Sequence, residues 1–543
     1  MAPERLWHNF LIIKMNNPAV LISGAGPSGL MMAAQLAMFQ VPFRIIDKNE
    51  DHTTQSRALV IHARSLEIFD QMGIADEAIK QGEKARAVNL IANGKRKLRF
   101  NLEGVGTGLT DFPYLLILEQ SKTERILNDF LATYGKSVER KTELIDFSDN
   151  DQGVNASLRH ADGTIENIHC DWLIGADGAH SLVRQHLNIP FEGRTYEQSL
   201  FVLDCEVDLH LPTNEMCLAF SDKAFAGFFP MTNGRYRVIG IVPEELESKK
   251  ELEFNDIAKD FAAKVKMNIS LQNPHWIAKY NSHHRTVTTF TKGRCFLCGD
   301  AAHIHSPVGA QGMNTGLQDA YNLAWKLALV CTGKAKEKLL DTYHDERIII
   351  ARNLVRTTDR AFKFVTSKKP AAMFVRLRVL PLALSLGVPI LEKIKFVRQV
   401  AFRTISEIGI NYRKSDLSKQ DPESTFPGQA PKPGDRMPYI PDKKSLKIML
   451  HSLKFNLLVF TGETKHPDIE NILQQIQHEY FDLLEINEIT LSSETQSVYK
   501  KFGIKRNGFY LVRPDTHIAY RCNSLEFNNL FTYLGLYFSK KAQ

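Results

Sequence analysis

Three separated stretches of this chain carry residue types and spacings suited to gripping a long, phosphate-bearing ligand. The first is GAGPSGL at 24–30, which follows the apolar run Ala19, Val20, Leu21, Ile22 and runs straight into a helix-patterned stretch. A second apolar run at 43–46 ends in Asp47, 23 positions past Gly24, with Lys48 beside it. Gly24 allows a tight turn out of the strand, Gly26 a close approach of backbone to a pyrophosphate, and Gly29 close packing of helix on strand. Pro27 and Ser28 open the helix, whose first amides have no partner within it and face the phosphates. An acid at the end of the second strand accepts bonds from an adenosine ribose. Strand, helix, second strand and terminal acid in this order predict a dinucleotide site.

The second stretch is DWLIGADGAHSLVR at 171–184, an apolar strand ending in Asp177 and Gly178, with Ser181 and Arg184 at helical spacing. The third is CFLCGDAAHIHSPVGAQGMNTGLQDAYNLAWKLA at 295–328. A strand there ends in Gly299 and Asp300, a loop with Pro307, Gly309 and Gly312 follows, and a helix begins near Asn314. An acid at such a strand end can hold ribityl hydroxyls. The helix start behind the loop presents amides to an electron-rich ring edge. His303 and His305 lie in the loop region, but two histidines without further ligands read as hydrogen-bonded loop residues, not a metal site.

With the three motifs in this order, the chain resembles the single-component flavoprotein aromatic hydroxylases, which include phenol and polyketide hydroxylases and antibiotic-modifying monooxygenases. The likeness covers nearly the whole chain. It implies that Gly24, Gly26, Pro27, Ser28, Gly29, Asp47 and Lys48 hold the adenosine diphosphate half of FAD, and that Asp300 holds the ribityl and pyrophosphate. Arg57, in QSRALVIHARSLEIF, and Gln120, in LEQSKTERIL, fall where the family places flavin contacts. Asp177 and Arg184 match a motif tied to both FAD and NADPH, and Pro307, Gly312, Met313 and Asn314 match the loop beside the isoalloxazine. Two positions depart from the pattern: Asp47 stands where glutamate is commoner, and Ala310 replaces a usual glycine.

The resemblance also implies an activity: an FAD-dependent monooxygenase that consumes NADPH or NADH and O2 and hydroxylates an aromatic or polyketide-like small molecule through a flavin hydroperoxide, with solvent kept out. The alternatives are a flavin-dependent dehydrogenase or reductase, and a non-enzymatic flavoprotein that signals its redox state through the C-terminal domain. No acid or base can be assigned. A single complete glycine fingerprint disfavours a second nucleotide domain for NADPH.

The 543 residues suit several domains and large cores. A net charge of +7 spread over 68 basic and 61 acidic residues shows only short basic clusters, which argues against a nucleic-acid partner. Seven irregularly spaced cysteines suggest a reducing compartment rather than a disulfide framework. Cys295 and Cys298 read as small core side chains. Residues 1–17 show no signal-peptide pattern, and a cytoplasmic location is expected. The apolar stretch 379–391, interrupted by Pro381 and Pro389, is too short and broken to span a bilayer. It reads as a helical hairpin that packs on the protein or forms a homodimer, with shallow membrane contact as the lesser alternative.

The elements that must position the motifs then fall into an α/β plan. A Rossmann-like FAD-binding domain occupies 18–190 and returns, with a helical segment, at 291–414. A β-rich substrate domain is inserted at 191–290, where runs become short, β-branched and turn-bounded. A polar, proline-bearing linker at 415–438 leads to a thioredoxin-like domain at 439–543. That domain has only Cys522 and so lacks a redox pair. In the insert, Phe201, Phe220, Phe228, Phe229 and Met231 are candidate pocket residues whose facing the sequence leaves open.

Overall fold

Strand Val20–Ser23 is buried along its whole length because it lies inside a six-stranded sheet, covered on both faces. The order runs Thr291–Lys292, Cys295–Leu297, Trp172–Gly175, Val20–Ser23, Phe43–Asp47, Glu139–Arg140, and every pairing but the first is parallel. Continuous apolar runs are what such strands require. The computed structural model describes residues 18–52, 58–306, 309–391, 394–441, 450–463, 467–480 and 482–540; the N-terminal extension, Arg57 and Pro307 lie outside them. The parallel order brings the C-terminal ends of Val20–Ser23, Trp172–Gly175 and Cys295–Leu297 to one edge, so the three motifs open side by side.

The second sheet has eight strands, ordered His303–Ile304, Leu271–Val287, Phe191–Val207, Arg235–Ile241, Phe225–Pro230, Glu215–Phe220, Ala87–Ala92, Lys95–Asn101. It reaches beyond the expected 191–290. Ala87–Ala92 pairs parallel with Glu215–Phe220 and extends the sheet with Lys95–Asn101. The strands that alternate in the insert do sort their side chains by face. Phe201 and Phe228 meet Phe261 of helix Phe254–Val265, and Phe220 packs at a tilt on Phe225. Phe229 and Met231 point the other way, into an apolar cluster with Leu59, Val60, Met216 and Ala310.

The long helix Gly312–Cys331 begins two residues before the expected Asn314, and Ala63–Gln71 and Gln120–Thr133 are further helices of the FAD-binding part. The segment expected as a proline-broken hairpin is different. Helical structure is continuous through Pro370–Phe374, the wider π turn Val375–Val379 and Leu380–Leu391. A π turn just ahead of Pro381 loosens the backbone where proline removes a donor and crowds the preceding turn. By length and composition 370–387 could cross a membrane.

The C-terminal sheet runs Leu484–Thr490, Phe455–Gly462, Asn507–Val512, Ile518–Cys522, Lys419–Gln420, with the first pair parallel and the next two antiparallel. That is the order expected of a thioredoxin-like unit. One of the two hydrophobic cores on this sheet is shared: Trp325 and Leu329 of the long helix belong to it, and Trp325 meets Phe455 edge-on at 5.5 Å. All seven cysteines are free, and all but Cys331 are buried.

Candidate active site

The fingerprint turn is built by two backbone hydrogen bonds and a carboxylate. Gly24 N donates to Ile46 O at 2.9 Å, Ala176 N to Ser23 O at 2.8 Å, and Ala25 N to Asp47 Oδ2 at 2.7 Å. Gly24 has a φ of +101°, and a Cβ there would lie 2.4 Å from Ala176 O. A Cβ on Gly29 would lie 1.9 Å from Gly24 O, whereas one on Gly26 would meet nothing within 4 Å. The turn is therefore sealed on its inner side and open at Gly26. Pro27 occupies the first turn of helix Pro27–Met38, where a missing N–H costs nothing.

The first and third motifs meet at one side chain. A Cβ on Gly299 would sit 2.3 Å from Ser28 Oγ, and one on Gly316 2.5 Å from the same oxygen. Ser28 thus fills the gap between the end of Cys295–Leu297 and the long helix, and any larger residue at these positions would push the elements apart. Arg184 joins the second motif to the third, donating to Ala179 O at 2.7 Å and Ala301 O at 2.9 Å, with its guanidinium stacked over Phe191. Its cation is committed to backbone carbonyls, so it positions the two loops.

Asp177 accepts from Val183 N through Oδ2, while its other oxygen, Oδ1, is buried without a partner. Burial pushes this carboxyl up from the usual range. A buried unpartnered acceptor is costly unless a donor reaches it, and a hydroxyl-bearing ligand answers that need. The two oxygens of Asp47 accept from Ala25 N and Asn49 N at 2.7 and 2.8 Å, and each keeps a lone pair for a ribose. Lys48 and Asp300 are exposed at the same sheet edge. Open amides at Ser28 and Gly29, the bare face of Gly26 and these acids fit the pyrophosphate and polyhydroxylated chain of FAD.

The third loop is pinned from behind. Asn314 accepts from His62 N at 2.9 Å and from the Ser65 hydroxyl at 2.8 Å, and donates to Val60 O and Ala310 O. Its side chain is thus fully used in holding the loop, leaving the backbone amides of Gly312, Met313 and Asn314 as the groups that can face a ring. Ala310 sits at φ +52°, which explains why glycine suits this position. The Gln120 side chain accepts from Ala58 N at 3.2 Å and its backbone N–H donates to Ala58 O, fixing the chain at Ala58. His305 Nε2 lies against Gly312 and is buried without a partner; burial pushes its pKa down to about 4, so the ring is neutral.

Sequence reasoning missed the network beneath. Asp319 accepts from Gly299 N at 3.1 Å, His303 Nε2 at 2.7 Å and Arg347 Nε at 2.6 Å, all buried. Burial raises this carboxyl, but the Arg347 guanidinium and His303 outweigh it and hold it below its ordinary range. The signal was one acid on the third-motif helix, uninformative without its partners.

Glu407, at φ +61°, accepts from Thr315 Oγ1 at 3.2 Å and Gln318 Nε2 at 2.5 Å. Burial pushes its carboxyl up to about 8. The folded state keeps a proton that the unfolded chain releases above the ordinary glutamate value of 4.5. Stability therefore falls as pH rises from 4.5 to about 8 and is level beyond. Glu407→Gln should remove that slope. Thermal melts from pH 5 to 9 are expected to show the variant gaining on the parent up to about pH 8; a constant difference would contradict the protonated assignment.

A family model described as FAD binding domain matches residues 17–358. The chain belongs to this FAD-binding family. It is 32% identical over 522 residues to 6-methylpretetramide 4-monooxygenase of Streptomyces rimosus, covering 93% of this chain and 90% of the relative. Identity with pentachlorophenol 4-monooxygenase of Sphingobium chlorophenolicum is 36%, over 63% of each chain. Among solved structures, the OxyS anhydrotetracycline hydroxylase of Streptomyces rimosus superposes with a TM-score of 0.75 at 24% identity, over 96% of this chain and 99% of that one. PieE, a flavin-dependent monooxygenase crystallised with FAD and substrate, gives 0.76 at 20% identity over 94% and 97%. This member of the FAD-binding family is an FAD-dependent monooxygenase.

Proposed function

We propose that the enzyme hydroxylates an aromatic or polyketide-like small molecule, with NADPH or NADH as reductant. The observation that carries this is the apolar cluster that gathers Ala310, of the third-motif loop, with Phe229 of the second sheet and Met231 just past that strand. An apolar ligand between these walls would lie directly beside the loop that faces the isoalloxazine. FAD, when bound, would take two electrons from the nicotinamide and supply the O2 chemistry by which one oxygen atom goes to the substrate and the other leaves as water.

The protein's share is placement and exclusion of water. Amides at Ser28 and Gly29 would receive the pyrophosphate, while Asp47, Asp177 and Asp300 would take the ribose and ribityl hydroxyls. Amides of Gly312, Met313 and Asn314 would face the ring edge, held by His62, Ser65 and Asn314. Arg57 and Pro307 belong to the same proposed set. Leu59, Met216, Phe229 and Met231 would shield the reacting carbon from solvent.

The test is turnover of the FAD-loaded enzyme under labelled dioxygen with a panel of phenols and polycyclic phenols. At least one is expected to accelerate NAD(P)H oxidation and to emerge carrying one labelled oxygen. Full turnover to an unlabelled product would replace this reading with that of a dehydrogenase.

A further inference from the structure

Thirteen large apolar side chains are exposed among the described residues, and nine of them lie between Phe374 and Ile405. Leu382 is 61% exposed, Leu386 66% and Phe396 72%. Only 11% of the 370–387 window is buried. The same region is strongly basic: residues 363–406 contain nine Lys or Arg and one acid, Glu392. Lys363 and Lys368 pair with Asp359 and Glu244. Lys369, Arg378 and Arg403 are exposed, and among the described residues no carboxylate pairs with them. All of this lies beyond the residues matched by the family model.

The unit is firmly seated. Arg376 donates to Phe364 O at 3.0 Å and Ser367 O at 3.2 Å, Arg398 donates to Gly104 O at 2.9 Å, and Phe402 is buried against Gly106. A fixed scaffold therefore holds these apolar side chains out in water, a face of the kind that marks an interaction site. A second copy would set an excess of six positive charges, once Lys363 and Lys368 are paired off, against an equal excess, which Coulomb repulsion opposes. An anionic bilayer offers apolar depth and negative charge together.

We infer that 363–406 docks peripherally on an anionic lipid surface. Leu382, Leu386 and Phe396 enter the boundary between headgroups and acyl chains, while Lys369, Arg378 and Arg403 meet lipid phosphates. The helix lies in the interface and does not cross: Arg376 and Arg378 fall inside its apolar window, and Arg376 is tied to the carbonyls that end the preceding helix. The inference is independent of the substrate proposed above.

The test is cosedimentation of the full-length, FAD-loaded protein with vesicles of phosphatidylcholine alone or mixed with phosphatidylglycerol. Binding to the mixed vesicles is expected, weakening as salt is raised. Lys369→Glu with Arg378→Glu, and separately Leu382→Ser with Leu386→Ser, should each lower it by roughly tenfold or more while flavin absorbance and melting temperature stay at parental values. Protein left in the supernatant with phosphatidylglycerol present overturns the inference. So does a dimer that the leucine pair dissolves in the absence of any vesicle binding, which would assign the face to a second copy.

Discussion

Gly29→Ala is expected to yield a colourless, weakened protein. The added methyl would lie 1.9 Å from Gly24 O and 3.0 Å from Gly24 C, and both are backbone atoms of a turn fixed by Ile46 and Asp47. Relief requires opening that turn. A forced shift of this kind costs about 2–4 kcal/mol, and the amides at the start of helix Pro27–Met38 lose their common aim. Gly26→Ala provides the contrast. Its methyl meets no protein atom within 4 Å, and Gly26 has the ordinary φ of −75°. The apoprotein should keep its denaturant midpoint, yet the methyl would occupy the face that a pyrophosphate must approach. Flavin absorbance after gel filtration reads both variants. If Gly26→Ala retains FAD at parental occupancy, the open side of the turn is not where the phosphates lie.

Arg513→Met should be the most damaging change remote from the motifs. The guanidinium is wholly buried and grips two acids, with 2.6 and 2.9 Å contacts to Glu346 and bonds from Nε and Nη2 to Asp515. Lys326, Asn322 and Ser415 complete the surroundings of Glu346. Removing one member of a buried ionic set leaves uncompensated charge, at a cost of about 3–5 kcal/mol. The pH dependence separates this from lost packing. Although burial raises it, Arg513 and Lys326 hold the Glu346 carboxyl at about 2, below the ordinary glutamate value of 4.5. That stabilisation is complete above 4.5 and is lost as pH falls towards 2. Urea midpoints of parent and variant should therefore lie far apart at pH 7 and draw together near pH 3. An equal gap at both pH values would mean that the side chain acts through its volume alone.

The glycine fingerprint was legible because its cues are local: a strand, a tight turn and a capped helix within a few residues. The ends of Trp172–Gly175 and Cys295–Leu297 were legible for the same reason. Sheet membership was not, since Ala87–Ala92 looks like any half-buried strand until Glu215–Phe220 arrives from far along the chain to pair with it. Alternation along Phe225–Pro230 requires Phe228 and Phe229 to face opposite ways, but only the fold shows that Phe229 packs on the same apolar cluster as Ala310. Asn314 reads from sequence as part of the loop beside the isoalloxazine; that its side chain also anchors this loop through His62, Ser65, Val60 and Ala310 is something no spacing rule reveals. Prolines at 381 and 389 suggested a break, because a π turn that accommodates Pro381 has no sequence signature of its own.

The position of the Ser28 hydroxyl, between Gly299 and Gly316, has a further consequence. One small side chain serves as the common spacer for segments almost three hundred positions apart, so substitutions at these three sites cannot behave independently. Once one of them has wedged the helix away from the strand end, a second finds the room already made, and its penalty shrinks. Natural variation at these positions should accordingly be concerted: enlargement at one is tolerated only with contraction at another.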